Sequence, residues 1–92
     1  MDPDLVDSLE ELFDMYNDQE QIIKIVERCK KLGEKEGSCL DFLLGGYYGS
    51  SLYVYDSFSV NDGRDEAEFN KIVTSHIKDL KILFHQLQEK QH

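Results

Sequence analysis

The sequence predicts a mostly helical α+β fold: an N-terminal helix hairpin, a short β-hairpin or single strand, and a long C-terminal helix, with an all-α bundle as the second choice. Three observations lead there. Apolar residues recur every three or four positions near both ends of the chain, they alternate between residues 52 and 60, and glycines cluster between those regions. The 92 residues form one domain, 1–92, and a chain of this length buries only about two-thirds of its unfolded surface.

The first helix is placed at about residues 3 to 17. Asp2 caps it, Pro3 suits the first helical position, and Leu5, Val6, Leu9, Leu12, Phe13 and Tyr16 make its apolar stripe. Asp18 with Gln21 reads as a capping box. It opens a second helix whose buried stripe is Ile22, Val26, Cys29 and Leu32, with Gly33 as its stop. A turn this short makes the two helices an antiparallel hairpin.

In the middle, Leu52, Val54, Asp56, Phe58 and Val60 alternate with Tyr53, Tyr55, Ser57 and Ser59, the pattern of a strand. Cys39 to Leu44 is its hairpin partner across a Gly45 to Ser51 loop. The competing reading is a short helix over residues 38–46, with Ser38 and Asp41 as a capping box and Gly45-Gly46 as a stop. The hairpin is preferred because a lone strand has no hydrogen-bond partner. Asn61-Asp62-Gly63 is read as a turn. From Asp65, with Glu68 three residues on, the longest helix runs to the C-terminus with Phe69, Ile72, Val73, His76, Ile77, Leu80, Leu83, Phe84 and Leu87 on its apolar stripe.

Charge is the sharpest functional signal. The formal net charge is −9, and residues 1 to 20 hold eight Asp or Glu and no Lys or Arg. Five of these carboxylates, on Asp4, Asp7, Glu11, Asp14 and Asp18, fall on the first helix's outer face, where like charges at three and four oppose helix formation. They are candidate contacts for a basic partner surface, set against a solvated face that keeps a small protein soluble. At about 1.5 Å rise per residue the stripe carries one charge per ~5 Å, against one per ~1.7 Å in duplex DNA, so a single helix is a poor mimic of a duplex. No Lys or Arg occurs between Lys35 and Arg64, which argues against direct binding of nucleic acid or of an anionic membrane.

Tyr47, Tyr48, Tyr53 and Tyr55 lie within nine residues and are flanked by glycine and serine. That composition suits a recognition surface, or alternatively a half-buried hairpin. The segment lacks the lysine of a phosphate-binding loop. Val73, His76, Leu80, Leu83 and Leu87 keep the four-three spacing of a dimer seam on the last helix. His76 and His85 do not share a face as metal ligands would, and no catalytic arrangement has its local spacing. No cofactor or metal is expected. Cys29 and Cys39 are read by default as reduced thiols, a bridge between them being possible but unneeded, and with no basic leader at Met1-Asp2-Pro3-Asp4 the expected compartment is cytoplasmic.

The expected function is therefore a non-enzymatic, acidic protein-binding module, an inhibitor or adaptor that docks on another protein's basic surface, for instance to block a nucleic-acid-handling enzyme. The alternatives are a structural homodimeric subunit and a small-ligand sensor that uses the Gly/Tyr loop.

Overall fold

A computed structural model describes residues 1–58 and 63–90 of the chain. Among these residues the order of elements is α1 (Pro3–Tyr16), α2 (Gln19–Lys31), α3 (Glu36–Ser57) and α4 (Gly63–Lys90), with no strand. The fold is an all-helical bundle, so the α+β architecture with a β-hairpin is overturned.

The local signals at α1 and α2 act as the sequence implies. The Asp2 carboxylate accepts the Asp4 backbone N–H at 2.8 Å, and Pro3 opens α1. The Asp18 carboxylate accepts the Gln21 N–H at 3.0 Å, and Arg28, Lys30 and Lys31 sit in the last turn of α2, where the negative end of the helix dipole favours them. Gly33 takes a positive φ of 85° just past that end. Its N–H donates to the Lys30 carbonyl, and the Glu34 N–H donates to the Cys29 carbonyl. This paired closure satisfies two terminal carbonyls and needs a residue without a Cβ penalty at the left-handed position.

Residues 36–57, where a β-hairpin is expected, form one continuous helix. Lys35 precedes it without a side-chain cap, Ser38 lies inside it, and Gly45-Gly46 do not stop it. Packing supplies the reason. In helical register Cys39, Leu43, Tyr47, Ser51 and Tyr55 fall four apart and are all buried, whereas two strands alone leave most of their backbone groups unpaired. Ser51 is accommodated in the core because its hydroxyl donates to the Tyr47 carbonyl one turn back, at 2.9 Å. Of the expected strand, Ser59 and Val60 lie outside the described residues, as do Asn61 and Asp62 of the expected turn. The third residue of that turn, Gly63, is already in α4.

α3 packs against α1, α2 and α4, and one apolar cluster draws Leu5, Leu9 and Phe13, Ile22 and Val26, Leu43, Tyr47 and Tyr55, and Phe69 through Leu87 from the four helices. At about 1.5 Å per residue α4 alone is ~42 Å long, which sets the 45 Å long axis of a body only 22 by 18 Å across. No helix among the described residues is long and apolar enough to cross a membrane.

The cysteines also differ from expectation. Cys29 at the end of α2 and Cys39 in the first turns of α3 form a disulfide, with Cα atoms 5.7 Å apart, within the usual span of such a bridge. The tight turn around Gly33 brings them together.

Candidate functional site

The helical fold sorts the sequence-predicted site residues into two groups. Asp4, Asp7, Glu11, Asp14 and Asp18 are all exposed. Asp18 also caps α2. Among the described residues no Lys or Arg side chain forms an ion pair with any of the five. Among the described residues the acidic face of α1 is therefore presented to solvent without an ion pair to Lys or Arg.

The tyrosines do not form one surface. Tyr47 is 0% exposed and Tyr55 is buried against Phe69, while Tyr48 is partly exposed and Tyr53 is 79% exposed. The segment from Gly45 to Tyr55 is helical core and helix face, so the Gly/Tyr loop invoked for a small ligand does not exist. The seam positions are likewise occupied at home: Val73, His76, Leu80 and Leu87 are buried within the bundle, and Leu83 packs against the same cluster. They are not available to a second α4.

A buried phenol and a buried imidazole are linked to a half-exposed carboxylate at the bundle's surface. The Tyr47 hydroxyl, from α3, meets His76 Nδ1, from α4, and His76 Nε2 meets Glu10 Oε1, from α1, at 3.0 Å. With a neutral ring, only one tautomer leaves no donor or acceptor unmatched: Tyr47 O–H donates to Nδ1, and Nε2–H donates to the carboxylate. Phe13 stacks on the His76 ring at 4.1 Å between centroids and 13° between planes, which fixes the ring's orientation. Burial pushes the Tyr47 phenol above its ordinary value near 10, and the negative charge of Glu10 adds to the rise. The phenol and imidazole are enclosed, and their polar atoms are directed at one another, so the line ties three helices together.

Tyr16, at the C-terminal end of α1, adds a second polar link to α3, its hydroxyl 3.3 Å from Ser50 Oγ. Near it a cavity of about 350 Å³ opens at the α1–α2 turn, lined by Met15, Tyr16, Asp18, Glu20, Gln21 and Lys24. A larger groove of about 500 Å³ lies where α2 meets α3, lined in part by Ile25, Arg28, Leu32, Ser38 and Phe42, with the Cys29 end of the disulfide in its wall. Leu32 and Phe42 are 78% and 67% exposed there. Sequence reasoning missed this groove because Leu32 reads as the last position of a buried stripe. It missed Glu10 because a Glu beside the apolar stripe looks solvated. No group of three or more His, Cys, Asp or Glu among the described residues is placed to hold a metal. Comparison with protein families, with curated proteins and with solved structures finds no match to this chain.

Proposed function

We propose that this chain is a non-enzymatic protein-binding module, an inhibitor or adaptor whose α1 docks on a basic surface of another protein. One observation carries the reading: the exposed carboxylates of Asp4, Asp7, Glu11 and Asp14 run along α1 and are continued by Asp18 at the cap of α2, and no Lys or Arg of the described residues forms an ion pair with them. Like charges at this spacing weaken a helix by a few tenths of a kcal/mol per pair, and an opposing basic surface relieves that repulsion. The same field accelerates encounter with a positive groove and falls off with salt. A nucleic-acid-handling enzyme, whose own channel is basic, is one example of such a partner, engaged by charge rather than by mimicry of a duplex.

The reading places the encounter in the cytoplasm, where reducing systems would hold Cys29 and Cys39 as thiols. It does not need the bridge, because α1 carries the acidic face and the bridge joins α2 to α3. The test is capture of a partner from a lysate at low and at high salt, with Asp7→Lys/Glu11→Lys/Asp14→Lys protein alongside, followed by kinetics on the purified pair. A partner lost both at high salt and with the triple variant supports the docking face. A partner kept under both conditions removes it.

A further inference from the structure

The outer face of α3 is exposed and nearly free of charge. Asp41 and Asp56 bracket fourteen residues without a charge, in a chain that is 32% charged overall, so an exposed face within that stretch is poorly suited to water. Ser38, Phe42, Gly45, Gly49, Tyr53 and Asp56 recur on this face at three and four, opposite the buried set, and every one is exposed. α3 packs against α1, α2 and α4, and between Asp41 and Asp56 its remaining face stays exposed without a charged residue.

The glycines sharpen the point. A glycine inside a helix costs about 0.5–1 kcal/mol relative to alanine, yet beyond its own turn of helix a Cβ on Gly45 or on Gly49 would meet nothing among the described residues within 4 Å. The bundle's own packing therefore gives no reason for either. Close approach of another backbone does, since helices without side chains at their crossing point come nearer than the usual 8–10 Å.

We propose that a second copy of this chain covers the face, with α3 crossing α3 antiparallel about a two-fold axis. The spacing is self-complementary, as such an interface requires. Gly45 paired with Gly49 and Ser38 with Asp56 share a midpoint at the level of Tyr47, and Phe42 paired with Tyr53 centres half a residue further on, so a single axis at that level brings each residue close to its counterpart. Ser38 and Phe42 line the groove that also holds Arg28 and Glu34, and Arg28, which forms no ion pair among the described residues, is the groove's one cation for an incoming carboxylate. The two-fold sets Tyr53 of the second copy over that apolar groove and brings its Asp56 to Arg28, twice per dimer. The inference goes beyond the acidic docking face and stands without it, since it uses α3 and the end of α2 rather than α1.

Sedimentation equilibrium of the intact chain over about 1 to 100 µM, where interfaces of moderate quality dissociate, reads the outcome directly. The expected result is a mass of two chains. Phe42→Lys and Tyr53→Lys, both at exposed positions, should each give a monomer of unchanged helical circular dichroism. Arg28→Glu and Asp56→Arg should each weaken the dimer at least tenfold, and the two together should restore it. A wild-type chain that stays monomeric at the top of that range overturns the proposal and leaves the face to an unlike helix. A dimer that survives Tyr53→Lys overturns the choice of face, and failure of the charge swap to restore association overturns the two-fold placement.

Discussion

Tyr47 shows how much a single side chain can hold. Its hydroxyl saturates the Nδ1 of a buried histidine whose other nitrogen is already engaged by Glu10, so Tyr47→Phe leaves a buried acceptor without a donor. The expected loss is about 1–3 kcal/mol, seen as a lower urea midpoint at unchanged slope. The pH dependence follows from the raised phenol pKa. The folded chain holds this proton more tightly than the unfolded chain does, so the contribution is complete below about pH 10 and is lost as pH rises through the elevated folded value. Melting temperatures of wild type and Tyr47→Phe between about pH 8 and 11 should converge towards the alkaline end. His76 was legible as a residue of the apolar stripe. Its two partners were not, because they lie 29 and 66 positions away and only the docking of three helices brings them together.

Among the elements, α1, α2 and α4 could be read from the chain to within a residue or two. Each has an apolar stripe of helical period, and α1 and α2 have side chains that cap them. α3 could not be read, for a physical reason. Its core positions include Ser51 and two tyrosines, which do not mark a stripe, and Leu52, Val54 and Phe58 happen to alternate. Glycine content then argued for a loop where the requirement is a bare helix surface. The acidic face of α1 was legible for the same reason that α1 was, while the groove beside Phe42 depends on where α3 begins. The Cys29–Cys39 bridge spans ten residues at that junction, and closing so short a loop restricts the unfolded chain by about 2–3 kcal/mol. Cys29→Ser/Cys39→Ser protein should be less stable by about that amount in denaturant. Reductant should bring wild type down to the same midpoint and leave the variant unmoved.

For the whole molecule, the balance of charge decides how it responds to solution conditions. A net charge of −9 on so narrow a body opposes compaction through self-repulsion, and salt screens exposed charges beyond about 8–10 Å. Thermal melts at neutral pH should therefore rise as sodium chloride is added from a low-salt buffer. A fall would mean that attractive pairs outweigh the repulsion along α1. The line from Glu10 to His76 also has a consequence in time. At translation rates of about 5–20 residues per second, the ribosome adds the histidine some 3 to 13 s after the glutamate, so α1 is made well before α4 can cover its apolar side. The carboxylates along its other side give that first-made segment a charge of one sign, which opposes its association with copies of itself before the fold is complete.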